Sequence, residues 1–169
     1  MLNVTQDQPI KPSQLMILFE EQLKEIYCAE KALTKVIPAM IRHASSEELI
    51  EALKYHMSET EEHIKRVEEV FNMLGKTATA KKCEAMQGLI RELGDIMELC
   101  EEGAMRNAGI IASIQKIEHY EIATYTTLYK FAETLGMDDA VELLKITLEE
   151  EKAADEMLTE VSITALLFI

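Results

Sequence analysis

Two glutamates, Glu118 and Glu121, stand three positions apart on what is otherwise the apolar stripe of a helix. Ile111, Ile114, Tyr125, Leu128 and Ala132 recur with them at spacings of three and four. A carboxylate buried without a partner costs several kcal/mol or takes up a proton, so this pair demands cations, hydrogen-bond donors or metal ions opposite it. Whatever the rest of the chain folds into, it has to deliver those partners to one place.

The 169 residues suffice for one buried core and are expected to form a single domain over 1–169. Six glycines, three prolines and no tryptophan, in a chain rich in Ala, Leu, Glu, Lys, Ile and Met, favour helix and leave few turn signals for sheets. A formal net charge of −14 and the lack of any long Lys/Arg cluster argue against a nucleic-acid binder. Cys28, Cys83 and Cys100 are odd in number and far apart, which indicates neither a disulfide framework nor a zinc ribbon. A reducing, cytoplasmic setting is expected. No apolar run approaches a membrane span, and the first twelve residues lack the pattern of a signal peptide. The apolar tail 165–169 is expected to pack on the bundle or on a second subunit.

Periodicity predicts five helices. The first, α1, covers 13–44 with Ser13 as candidate cap and a kink at Pro38; Glu30 interrupts its stripe of Ile26, Leu33 and Ile37. The pair Ser45 and Glu48 forms a capping box that opens α2, which runs to Leu74 and stops at Gly75. Its inner face, otherwise apolar, carries His56, Glu59 and His63. A shorter helix, α3, lies within 83–100, with Gly88 a candidate for close packing; α4 covers 104–135 and ends at Gly136. Asp138 caps α5, whose inner face reads Val141, Leu144, Leu148, Glu151, Asp155 and Leu158, with Glu150 the alternative to Glu151 if the register slips by one. The connection of about 30 residues between α2 and α4 can carry the chain back along a bundle, whereas the short α1–α2 and α4–α5 links make antiparallel neighbours.

Glu30 and Glu121 are 91 positions apart and Glu59 and Glu151 are 92; Glu30 to Glu59 is 29 and Glu121 to Glu151 is 30. One helical hairpin with an inner carboxylate on each arm thus occurs twice. Two such hairpins packed about a pseudo-twofold axis bring four carboxylates to one level, with Glu118 and the histidines of α2 beside them, as in a carboxylate-bridged dinuclear metal site. Oxygen donors plus imidazole suit iron(II) or manganese(II), and an incomplete shell leaves room for oxygen or peroxide. Two divalent ions would bring five glutamates, or six carboxylates with Asp155, close to neutrality.

The runs Tyr27-Cys28-Ala29-Glu30-Lys31, His56-Met57-Ser58-Glu59-Thr60, Cys83-Glu84-Ala85-Met86-Gln87-Gly88-Leu89, Glu118-His119-Tyr120-Glu121 through Tyr125, and Glu149-Glu150-Glu151 through Asp155 together resemble the YciE/YciF-type bacterial stress proteins of the ferritin-like superfamily. The resemblance covers nearly the whole chain. It implies an all-α, ferritin-like, up-down four-helix bundle with an extra crossover helix between α2 and α4, and a cytoplasmic homodimer. The ligands carried over would be Glu30, His56, Glu59, Glu118, Glu121 and Glu151, with Asp155 in or beside the set. Rubrerythrin-type proteins carry Glu-x-x-His on the second and last bundle helices. This chain has His56 three residues before Glu59 and His63 four after it, leaving the choice of histidine open, and α5 offers Asp155 in place of histidine.

The expected function is a dinuclear non-haem iron or manganese protein of the oxidative or general stress response, reacting with oxygen or peroxide or oxidising iron in the manner of a di-iron oxidoreductase. The competing expectation is a structural or interaction stress protein that keeps the metal for stability without turnover. Tyr27 and Tyr125 are candidates to hydrogen-bond the ligand carboxylates. Cys28, two residues from Glu30, reads as a small packed thiol.

Overall fold

A computed structural model describes residues 12–166, with side chains from Gln14 to Ile163. Among these residues the secondary structure is five α-helices and no strand: α1 (Pro12–His43), α2 (Glu47–Met73), α3 (Glu84–Leu99), α4 (Ala104–Leu135) and α5 (Asp138–Leu166). The bundle expected from the periodicity is present. Ser13 lies inside α1 rather than before it, and α1 continues through Pro38. The packing expected of the tail 165–169 concerns side chains outside the described residues.

Helix ends follow local chemistry. The cap of α2 is Ser46, one residue later than expected: its backbone is extended and its hydroxyl accepts from the Leu49 amide at 3.3 Å. Ser45 is taken by another partner. Its amide donates to Asn107 Oδ1 at 2.9 Å and its hydroxyl accepts from Asn107 Nδ2 at 3.0 Å. At the C-termini of α2 and α4 the chain turns at Gly75 and Gly136, both with positive φ (69° and 68°), a conformation that a Cβ disfavours.

The Asn107–Ser45 contact ties the start of α4 to the α1–α2 turn, while the Lys81 amide donates to the Lys24 carbonyl at 3.0 Å near the opposite end. So α2 and α4 start from the same end of the bundle, and the 74–103 connection brings the chain back. Around the bundle α1 packs on α2, α2 on α5, α5 on α4 and α4 on α1. Helix α3 lies outside this square, chiefly on α4, and runs against it: Cys83 meets Tyr120, Glu92 meets Lys116, and Ile96 and Cys100 sit at Gly109. Gly109, not Gly88, is the close-packing glycine. A Cβ at 109 would come within 2.6 Å of Ile96 Cγ2, whereas at 88 it would meet only Arg91, at 3.9 Å.

Apolar layers close the bundle on both sides of its middle. On α1, Leu23 and Ile26 precede Glu30 and Leu33 and Ile37 follow it; on α4, Ile114 and Ile117 precede Glu118 and Leu128 follows Tyr125; on α5, Leu144 and Leu148 lie before Glu151 and Leu158 after it. Each such side chain contributes about 1.5–3 kcal/mol when buried, which offsets the cost of a polar middle layer.

Candidate metal centre

Helical spacing turns four glutamates and two histidines into that middle layer. Glu30, Glu118, Glu121 and Glu151 are each 0% exposed, His56 is 4% and His63 is 1%. Single ligand atoms from His56, Glu118, Glu121 and Glu151 lie within 4.8 Å of one another, and so do single atoms from Glu30, His63 and Glu151. Glu151 belongs to both groups. One carboxylate with two oxygens can therefore serve two adjacent ion positions, one with His56 and one with His63.

Among the described residues, twelve buried side-chain nitrogen and oxygen atoms have no hydrogen-bond partner, and all of them belong to Glu30, His56, Glu59, His63, Glu118, Glu121, Glu151 and Asp155. Proteins rarely leave such atoms orphaned, so their concentration in and beside one layer makes it the candidate site for a ligand. His56 Nε2 lies 3.3 Å from Glu118 Oε1. His63 Nδ1 lies 3.0 Å from Glu151 Oε1 and 3.5 Å from Glu30 Oε1. None of these pairs is aligned as a hydrogen bond, so the lone pairs face a shared space.

Electrostatics agree with a site built for cations. Burial, then the like charge of Glu151, pushes the carboxyls of Glu118 and Glu121 well above the usual range. Burial also raises Glu30 against the pull of His63. Burial raises Glu151 too, but the close approach and charge of His63 overcome it and hold Glu151 low. Burial disfavours the His63 imidazolium, yet Glu30, Glu150 and Glu151 together raise its pKa. Burial holds His56 down, which favours the neutral, ligating form of its imidazole. Without a metal ion, the charge of the layer is thus limited by protons on carboxyls and on His63. The four fully buried carboxylates, once ionised, match the charge of two divalent cations. Oxygen donors with two imidazoles suit iron(II) or manganese(II), so the residues present fit the expected group.

Glu59 and Asp155 stand apart from both groups. Glu59 is half-buried and lines a groove of about 570 Å³ between α2 and α5, together with Tyr55 and Glu150, although its Oε2 is buried and unpartnered. On a helix it sits about 60° round from His56 and about 40° from His63, which lie almost in line with each other, so it falls at the edge of the stripe. Asp155 Oδ2 lies 3.2 Å from His119 Nε2 at the surface, and its Oδ1 is buried and unpartnered. The pseudo-twofold expected from the spacing is therefore broken: Glu151 enters both groups and its counterpart Glu59 neither. His56 and His63, between which the sequence leaves the choice open, fall one in each group.

Of the tyrosines, Tyr125 donates to Glu30 Oε1 at 2.5 Å, but Tyr27 donates to Glu68 at 2.7 Å and turns away from the centre. The three cysteines are free, and Cys28 faces a groove between α1 and α3. Sequence reasoning did not single out Arg66. It holds Glu150 across 84 positions of chain, a pairing that no local pattern announces.

A family model described as a domain of unknown function, DUF892, matches residues 14–165. The chain is 43% identical over 147 residues to Protein YciF of Escherichia coli K12, a match covering 86% of this chain and 89% of that protein. The crystal structure of the E. coli stress protein YciF matches with a TM-score of 0.86 at 41% identity, covering 90% of this chain and 96% of that one. YcfI of Rhodopseudomonas palustris, for which a structural role has been put forward, matches with a TM-score of 0.84 at 36% identity, covering 94% and 98%. With the family model spanning all five helices and the buried His/Glu layer, the chain belongs to the DUF892 family and is a relative of YciF.

Proposed function

We propose that this protein is a dinuclear non-haem metal protein acting in oxidative or general stress, with two divalent ions, iron or manganese, held inside the bundle. The observation that carries this reading is that every orphaned buried side-chain nitrogen or oxygen among the described residues belongs to the one His/Glu layer or its edge. His56, Glu118 and Glu121 would hold one ion, Glu30 and His63 the other, and Glu151 would join the two. When bound, such a pair would supply Lewis acidity and would pass electrons to oxygen or peroxide, either from its own iron(II) or manganese(II) or from iron(II) delivered to it and oxidised in the process.

The chain's own residues do the rest. Ile114, Ile117, Leu128 and Leu158 keep bulk water from the layer, which strengthens every electrostatic contact inside it. Tyr125 fixes one oxygen of Glu30 and so presents the other. His63 would ligate through Nδ1, which faces Glu151 and Glu30, with release of any proton that those carboxylates hold there. Glu59 and Asp155, at the edge with one buried oxygen each, would take part if a side chain turned inward.

Anaerobic addition of iron(II) to metal-free protein, followed by oxygen or hydrogen peroxide, tests the reading. Two equivalents bound per chain, oxidant consumed in proportion and a near-ultraviolet ferric band are expected; no iron uptake contradicts it. The structural role put forward for YcfI favours a second reading, a bundle stabilised by metal without turnover. Ions that raise the melting temperature while no oxidant is consumed would select it.

A further inference from the structure

Glu150 and Arg66 lie outside both ligand groups, yet they hold one of the ligating side chains. Glu150 Oε2 faces His63 Nε2 at 3.0 Å, and the same carboxylate receives a two-pronged contact from Arg66, Nη1 to Oε2 and Nη2 to Oε1, the latter at 3.0 Å. Arg66 Nη1 also donates to the buried Thr147 Oγ1 at 3.2 Å, so the guanidinium is fixed against α5 at three points. The side chains of Arg66 and Glu150 are only 21% and 29% exposed. A forked guanidinium–carboxylate pair in a partly covered setting is directional where a free surface pair is not.

The consequence falls on the imidazole. A carboxylate on one ring nitrogen keeps the proton there and leaves the lone pair of the other nitrogen to the metal. For His63 the other nitrogen is Nδ1, which faces Glu151 and Glu30. His56 has no such support, since neither of its ring nitrogens has a hydrogen-bond partner. We infer that Arg66 and Glu150 are a positioning pair that orients His63 for the second ion position, leaving the His56 position independent of them. The two adjacent glutamates of α5 thus have different tasks: Glu151 faces the ions, and Glu150 turns the ligand of its neighbour's ion. This rests on the dinuclear reading above. It assigns to Arg66, Glu150 and Thr147 a role in making the two positions unequal.

The test is a titration of metal-free full-length protein with cobalt(II), followed by calorimetry for stoichiometry and by visible absorption for coordination. Wild type takes up two equivalents. In Arg66→Met and Glu150→Ala one equivalent weakens by about 10–100-fold while the other is retained, the size expected when a ligand loses its outer hydrogen-bond partner. The near-isosteric Glu150→Gln, which keeps an acceptor for Nε2 but not the charge for Arg66, and Arg66→Lys, which keeps the charge but not the fork, fall between. These two carry the test if the harsher variants lose their helical circular dichroism. Equal weakening of both equivalents, or no weakening of either, overturns the positioning role while leaving the dinuclear reading intact. Absence of cobalt uptake by wild type strikes the dinuclear reading itself, and the positioning role falls with it.

Discussion

Tyr125 on α4 donates a 2.5 Å hydrogen bond to Glu30 on α1, and both side chains are fully buried. The contact crosses the bundle at the level of the His/Glu layer and leaves Glu30 Oε2 without a partner, free to face an ion. Removing the hydroxyl strands a second oxygen of the same carboxyl. Tyr125→Phe is expected to destabilise the metal-free protein by about 1–2 kcal/mol, measured by urea unfolding in the presence of a chelator. It is also expected to loosen the ion held by Glu30 and His63 more than the ion held by His56.

In the proposed centre, stability and metal binding oppose each other at Glu121, whose two oxygens are buried and unpartnered. Replacing it with an apolar side chain removes that cost. Glu121→Leu is expected to raise the unfolding free energy of the metal-free protein by about 1–3 kcal/mol and to weaken the His56-side ion. Parallel urea curves with chelator and with manganese(II) check it: the variant is more stable in the first and gains less in the second.

The pH dependence has a definite sign. Glu30, Glu118 and Glu121 have folded pKa values raised above the ordinary 4.5, and His63 is raised above 6.5. The folded, metal-free chain therefore holds protons that the unfolded chain has released. Its stability from these groups is fully present below the ordinary values and is lost as pH rises through the folded ones, starting above 4.5 for the carboxyls and above 6.5 for His63. Glu150, lowered to about 2 first by its hydrogen bond from His63 and, against burial, by Arg66, acts oppositely, as do Glu151, held low against burial by His63, and His56, held low by burial; the contributions of these three are lost as pH falls. Metal binding displaces the same protons, so the melting-temperature increment given by manganese(II) is expected to grow from pH 5.5 to pH 8, with proton release visible as a buffer-dependent calorimetric heat.

Gly109 offers a control remote from the ions. A side chain there collides with Ile96 of α3 and crowds Cys100 just after its end, so Gly109→Val is expected to cost about 1–3 kcal/mol by pushing α3 off α4. Metal stoichiometry is expected to stay at two. Thermal unfolding with and without metal separates the effects.

Much of this was legible from periodicity. Glu30, Glu118, Glu121 and Glu151 each interrupt an apolar stripe at helical spacing, and such a position has to be buried once the stripe is. Glu59 and Asp155 sit at the same three- and four-residue spacings, so periodicity alone does not separate them from the fully buried four; in the structure each lies at the edge of the layer with one buried oxygen. The capping of α2 was misplaced by one residue because Asn107, 62 positions on, engages Ser45. The clamp of Arg66 on Glu150 and the close approach at Gly109 arise where two helices meet, and neither leaves a mark in the local pattern of either helix.

The most direct measurement is anomalous scattering from crystals of protein loaded with manganese(II) or iron(II). Two peaks are predicted in the middle layer, one within bonding distance of His56, Glu118 and Glu121, the other within reach of Glu30 and His63, with Glu151 touching both. A middle layer without a peak, its carboxylates protonated or turned to other partners while ions sit only on surface acids, would contradict the account.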